Sequence, residues 1–475
     1  MIARGRLVPA LLALLVVAAP LAGGVSATAQ PAATPGSVGI GDPYFPDDGN
    51  GGIDVLHYDV RDGYRFGSGR LAGRTTLDIR ATQNLSRFDL DFSLRVSSVT
   101  VDGRRASFHR AGSHELRITP TTPIASGAEF RVAVRYAGVP ADQSSQGERN
   151  WLASSDEVVT MNEPHMAVWW FPANDHPLDK ASFDIRITVP RGKQVIANGV
   201  LVAKHRQHGL ATTHWRATQP MAPYLAFFAA GSFETHARTC NGIPDYTAVS
   251  VGSSDPGHTV TARALADRTC AIVTALATVL GPYPFSAMGG VVTALPASFA
   301  LENQTRPTYP VVAGPSVPLM AHELAHQWFG DSVSVSSWSD IWLNEGFAQF
   351  MQSFYAEATG GRSVQDWLTD TYTTLHGQDG FWKLSIDDPG PARLFDAAVY
   401  ARGAMALQAL RHRIGDPAFW TLLRTWLAQH AYGNGADAEF EALAASVSGQ
   451  DLSAFFDAWL HATVVPAKSA DNGLL

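Results

Sequence analysis

The chain has 475 residues, too many for one compact core and enough for two or three domains. It is 46% apolar, 16% charged and 10% aromatic, which excludes both a disordered chain and a coiled coil. With 35 Lys and Arg against 43 Asp and Glu, a net charge of −8 and no basic block, it lacks the electrostatic footprint of a nucleic-acid binder, so no nucleic-acid partner is expected.

In chain order, Met1 to Arg6 is positively charged, Leu7 to Leu21 is apolar, and Ala27-Thr28-Ala29 precedes Gln30. This pattern reads as a signal peptide over 1–29 and a secreted, extracellular destination. An uncleaved anchor is the alternative, opposed by Pro9 and Pro20 in the run and by Gly23-Gly24 at its end. No cysteine follows the run, which excludes a lipoprotein anchor, and no later stretch is apolar for long enough to cross a bilayer; no stable membrane insertion of the mature chain is expected. Residues 30–52 are rich in Gly, Pro and Asp without periodicity and read as a flexible, loosely docked segment.

From 53 to 235 the apolar period is two: Leu77 and Ile79; Phe88, Leu90, Phe92 and Leu94; Val132, Val134 and Tyr136; Phe183, Ile185, Ile187 and Val189. Asp102-Gly103 and Asn198-Gly199 read as hairpin turns. This half is expected to be an antiparallel β-sandwich-like domain. From 236 to 465 the pattern turns mainly helical. Val260 to Leu280 stops at Gly281-Pro282, strands are expected near 290–293 and 333–335, and helices over 396–413, 417–430 and 436–447. Residues 466–475 read as a polar tail. Cys240 and Cys270 are the only cysteines, which excludes a disulfide framework and a cysteine-rich zinc module. In an oxidising exterior they would close a loop of about 30 residues worth roughly 3 to 3.5 kcal/mol; two buried free thiols are the alternative.

The chemistry lies in His322-Glu323-Leu324-Ala325-His326. Histidines four apart on a helix are offset by only about 40°, so both imidazoles reach one ion. A catalytic zinc takes three protein ligands and leaves a corner for water. Eighteen residues separate His326 from Glu345, which lies in Trp342 to Ala348, the start of a second helical pattern, and supplies the third ligand. The bland reading is two core histidines and a solvated Glu323. Against it, Glu323 sits beside the open position, as a general base for a water whose pKa zinc lowers to about 7. That is amide-hydrolysis chemistry.

On His322-Glu323-Leu-Ala-His326-Gln-Trp-Phe-Gly330, on Trp342 to Ala348 and on their spacing, the sequence resembles the zinc aminopeptidases of the aminopeptidase N (alanyl aminopeptidase) family. Phe299-Ala300-Leu301-Glu302-Asn303 is similar to that family's Gly-Ala-Met-Glu-Asn motif. Glu163-Pro164 with Phe171-Pro172 and Asp175 is similar to its upstream Glu-Pro and Phe-Pro-Cys segments, and Tyr400-Ala-Arg-Gly403 to its Tyr-x-Lys-Gly. The resemblance spans about 54–465. It implies a saddle-like β domain followed by a thermolysin-like zinc peptidase (gluzincin) domain, one Zn2+ per chain, and peptide substrates with a free N-terminus. It further implies that Glu302 and Glu163 bind the substrate's α-amino group, that Tyr400 stabilises the oxyanion, and that Ala300 and Asn303 lie beside the substrate backbone. A free α-amine is mostly ammonium at pH 7, so two carboxylates would both hold it and measure one residue to the metal. Asp340 and Asn344 are candidates for orienting the ligands, with surface or capping roles as the alternative.

Several positions depart from the family pattern. Phe299, Leu301 and Met161 stand where Gly, Met and often Gln occur, and bear on the first-residue pocket, while Arg402 keeps the charge of Lys. The chain stops soon after the catalytic region, without the large C-terminal helical domain of many relatives, which implies a more open site. The leading reading is a zinc-dependent aminopeptidase acting through a zinc-activated water. The competitors are a zinc endopeptidase, which needs no amine-binding carboxylates, a lipid-epoxide hydrolase of related site, and a silent peptide-binding relative.

Overall fold

The period-two runs of the N-terminal half build an eight-stranded sheet in the order 200–207, 210–221, 181–190, 53–65, 70–81, 129–138, 95–101, 104–105. The computed structural model describes residues 1–2, 32–145, 149–253, 260–310 and 316–475; the leader expected over 1–29 falls almost wholly outside them. The described unit is residues 33–475. The sheet is mixed where an antiparallel one was expected. Ile53–Arg65 pairs antiparallel with Arg70–Ala81 but parallel with Ala181–Pro190. A parallel neighbour needs a long crossover; here the chain between the two strands runs over residues 66–180, and its last stretch, 139–180, carries Glu163. Tyr58, Val60, Leu77, Ile79, Val132, Val134, Phe183 and Ile185 are all buried. A second sheet, of Thr34–Pro35, Leu85–Asp91, Glu115–Thr119 and Ser107–Ala111, packs on part of this face, where Phe88 meets Phe130 at 5.3 Å, while Tyr58 and Phe183 pack on Phe171.

Asp102 (φ 48°) and Gly103 (φ 77°) form the expected tight turn. Asn198-Gly199 does not form a hairpin. Gln194–Ala197 pairs with Phe228–Gly231, whereas Val200–Gln207 pairs with Leu210–Met221 in another sheet. The dipeptide crosses between sheets, because a Cβ on Gly199 would lie 1.9 Å from the Arg216 carbonyl oxygen and Asn198 donates to the Leu225 and Gln304 carbonyls.

At Phe233 a new sheet starts, ordered Phe233–Cys240, Ile243–Ser250, Met288–Thr293, Thr308–Pro310. Against it packs α1 (Ala262–Leu280), N-capped by Thr261 and ending at Gly281. A Cys240–Cys270 disulfide, Cα–Cα 5.9 Å, ties the sheet to α1. The rest is helical: α2 (Val317–Ala325), α3 (Trp342–Ala358), α4 (Val364–Leu375), α5 (Ala397–Ile414), α6 (Asp416–Gln429) and α7 (Asp437–Ser448). Among the described residues, no helix is long and apolar enough to cross a membrane.

Two segments expected to be loose are docked. In the N-terminal segment, the buried Asp42 carboxylate receives the Tyr44, Phe45 and Trp338 amides and contacts His176, and the Tyr44 hydroxyl receives the Gly390 amide. At the other end, Pro466, Asn472 and Gly473 carbonyls accept from Tyr372, Trp459 and contact His412. Composition reads such segments as tails because their contacts are polar and aperiodic.

Candidate metal centre and active site

Ser316 caps α2 by accepting the Leu319 amide, and Pro318 lies in its first turn, so the helix carries His322 and Glu323 inward. His326 ends it. His322 Nε2, His326 Nε2 and Glu345 Oε2 form a triangle with sides of 3.2, 3.2 and 3.4 Å. Zinc ligands at tetrahedral angles lie about 3.3 Å apart, so the three atoms fit one zinc ion. The His326 Nδ1–H donates to the Phe329 carbonyl at 3.0 Å, which presents Nε2 to the ion. That carbonyl does the orienting: among the described residues neither Asp340 nor Asn344 hydrogen-bonds a ligand.

Glu345 enters from α3, and Tyr400 from α5. The two helices touch at glycines: a Cβ on Gly346 would lie 2.9 Å from Gly403 Cα, and one on Gly403 2.8 Å from Gly346 Cα. This approach sets Tyr400, one turn before Gly403, against the ligand that precedes Gly346. The Tyr400 ring stacks on His322 with centroids 5.9 Å apart.

A cavity of about 470 Å³ joins Glu163, Ala300, Glu302, His322, Glu323, His326, Glu345 and Tyr400. Glu302 and Glu163 are 2% and 8% exposed, and Oε1 of each accepts no hydrogen bond. Gln327, next to His326, holds the Glu302 carbonyl with Nε2 at 2.9 Å and receives the Thr305 amide at 2.7 Å, so one side chain couples the metal helix to the Glu302 loop. Leu301 bridges to Thr308 at the edge of the sheet, which leaves Ala300 beside the cavity. Asn303 does not line it; the side chain is buried and donates to Thr308 at 2.9 Å. Of the divergent positions, Phe299 lines the cavity whereas Leu301 and Met161 do not. Arg402 turns away and donates to the Leu384 and Ala462 carbonyls, a helix-locking role. Asn150, Leu319, Gln349, Gln352 and Phe395 also line the cavity and were missed. Gln349 and Gln352 follow Glu345 by four and seven on the same helix face, a spacing that was legible; Phe395, in a loop, carries no such signal.

Four carboxyls share this cavity with two imidazoles. Burial would raise Glu345, but His326 and His322 hold it down to about 2, as a ligand carboxylate requires. Burial, then Glu302 and Glu345, pushes Glu163 well up; burial also raises Glu302 and Glu323. The site is short of positive charge, which a metal ion and a substrate ammonium would each supply. Burial and the surrounding glutamates keep the Tyr400 hydroxyl protonated, a hydrogen-bond donor.

Comparison with known proteins agrees across both domains. The Peptidase M1 N-terminal domain matches residues 57–225 and the Peptidase family M1 domain residues 275–459. Aminopeptidase N of Lactococcus lactis is 27% identical over 80% of this chain and 47% of its own length. Human endoplasmic reticulum aminopeptidase 1 is 28% identical over 80% of this chain and 44% of its own. The chain thus spans about half the length of the curated relatives it matches. An M1 zinc metallopeptidase variant of Deinococcus radiodurans, crystallised with a Tyr-Ser-Ala substrate, superposes with a TM-score of 0.83 at 29% identity, covering 90% of this chain and 99% of that one. With both domain models matched and three donor atoms spaced to fit one zinc ion, the chain belongs to the peptidase M1 family of zinc metallopeptidases.

Proposed function

We propose that the chain is an exported zinc-dependent aminopeptidase that removes the N-terminal residue from peptides. The observation that carries this reading is the pair of buried carboxylates, Glu302 and Glu163, in the cavity of the metal ligands, each with an Oε1 that accepts no hydrogen bond. A substrate ammonium donates to both, which leaves one residue's length to the scissile bond and blocks binding of an internal segment. When bound, zinc acts as a Lewis acid on the carbonyl and lowers the pKa of water to about 7. Glu323 takes the attacking water's proton and returns it to the leaving amine. The Tyr400 hydroxyl donates to the developing oxyanion. The Tyr-Ser-Ala held by the Deinococcus radiodurans relative supports short peptides as the substrate class. Export is supported by the leader pattern of 1–29 and by the Cys240–Cys270 disulfide, which an oxidising compartment preserves.

Glu302→Gln tests the anchor. A carboxylate about 4 Å from an ammonium at an effective dielectric of 20 contributes roughly 4 kcal/mol, so kcat/KM for a free-amine peptide should fall about 1,000-fold with zinc content unchanged. Loss of less than about 10-fold would reject the assignment.

A further inference from the structure

The β-rich domain holds a second cluster of donors that the peptidase chemistry does not use. Asp91, at the end of Leu85–Asp91, is paired directly across the ladder with Glu115, at the start of Glu115–Thr119. Like charges in that relation repel. His114 precedes Glu115, and residues 47–50 lie over both. His114 Nε2 is 3.2 Å from the Asp47 carbonyl oxygen, 3.4 Å from Asp48 Oδ1 and 3.8 Å from both Asp91 Oδ1 and Glu115 Oε1. In the zinc triangle the same kinds of atom stand 3.2 to 3.4 Å apart, so these spacings suit ligands around one slightly larger ion.

The charges do not balance. Asp48, Asp91 and Glu115 are 5%, 0% and 4% exposed, and their ionic partners are His114 and His165. The nearby arginines are engaged elsewhere: Arg87 and Arg117 on Asp89, Arg110 on the Ser93 and Leu94 carbonyls. Asp91 receives the Gly49 and Asp175 amides and the Asn50 side chain. Glu115 is different: both its oxygens are buried and no amide, hydroxyl or arginine donates to them, which leaves it facing His114 and Asp91, the carboxyl with which it shares a proton when no cation is held. Burial, then Asp91, pushes the Glu115 carboxyl up to about 10, and burial raises Asp91 to about 6. A buried carboxylate without a donor is costly unless a proton or a cation meets it.

We propose that Asp48, Asp91, His114 and Glu115, with the Asp47 carbonyl, form a second divalent-cation site that pins residues 42–50 to the β-rich domain. Three carboxylates and a carbonyl favour an oxygen-seeking ion of the Ca2+ or Mn2+ kind over zinc, with His114, its side chain 19% exposed, as the nitrogen donor at the entrance. The segment it fastens also reaches the catalytic domain through Asp42 on Trp338 and holds, through Asp48, His165 two residues from Glu163. Occupancy therefore bears on how firmly the two domains are joined.

The test uses the full zinc-loaded protein, dialysed against Ca2+ or Mn2+, with all metals counted and the thermal midpoint recorded. One equivalent of Ca2+ or Mn2+ beyond a retained zinc, with a raised midpoint, is the expected result. Glu115→Gln should weaken that binding on the order of 100-fold, and Asp48→Asn should do likewise should the first variant fold poorly. Binding of neither ion, or undiminished binding by both variants, would overturn the proposal. So would a Glu115→Gln protein more stable than wild type with no ion bound by either, since a shared Asp91–Glu115 proton would then close the cluster.

Discussion

Gly403→Ala puts a methyl group where α3 and α5 cross. The new carbon would lie 2.8 Å from Gly346 Cα and 3.5 Å from Trp342 Cε3, whereas carbons in contact settle at about 3.5–4.0 Å. The first neighbour is backbone and cannot rotate away, so the helices must part by about 1 Å. Overpacking of this kind costs about 1–3 kcal/mol. The consequence for catalysis is separate, because α5 carries Tyr400 and α3 carries Glu345. A misplacement of about 1 Å between reacting groups costs about 100-fold. The assay is kcat on a short free-amine peptide, normalised to bound zinc, with the thermal midpoint measured alongside. Gly377→Ala, which meets nothing within 4 Å, is the control. A lower midpoint and a kcat down about 100-fold are expected for Gly403→Ala only. A lower midpoint with unchanged kcat would refute the claim that the glycine contact positions the site.

Tyr400→Phe should lower kcat by about 100- to 1,000-fold while leaving zinc stoichiometry intact; near-normal turnover would remove Tyr400 from the mechanism. Glu323→Gln should retain zinc and peptide binding but lose at least about 1,000-fold in kcat, measured by calorimetric binding beside turnover; a smaller loss would place the base elsewhere. Stability should also depend on pH through Asp179. Burial raises this carboxyl to about 8, whereas an unfolded Asp titrates near 3.9. The folded state thus binds the extra proton between those values, and stability is lost as pH rises through them. The urea midpoint should fall from pH 5 to pH 8, and Asp179→Asn should shrink that fall; an unaltered fall in the variant would contradict the assignment.

The metal centre was legible because helical spacing alone places His322 and His326 on one face and a capped helix start brings Glu345 to them. Glu302 and Glu163 were legible only by resemblance, since their shared cavity depends on a crossover loop and a sheet edge far apart in sequence. What holds these groups was not legible. The Phe329 carbonyl that orients His326 and the backbone contact of Gly346 with Gly403 leave no side-chain pattern. That the Asn303 side chain turns to Thr308 and away from the cavity was not legible, because a motif does not say which of its side chains turn inward. The parallel pairing of Ile53–Arg65 with Ala181–Pro190 was likewise hidden, because alternation reports which face is buried and not the direction of the neighbour. Residues 42–50 looked loose since their ties are carboxylate to amide, without periodicity.

Hydrolysis of a short peptide with a free N-terminus, compared with its N-acetylated twin and each with and without a zinc chelator, bears most directly on the proposed activity. Release of single residues from the free peptide alone, abolished by the chelator, is expected if Glu302 and Glu163 read the amine beside the metal. Cleavage of both peptides at internal bonds would keep the metal centre and contradict the aminopeptidase reading.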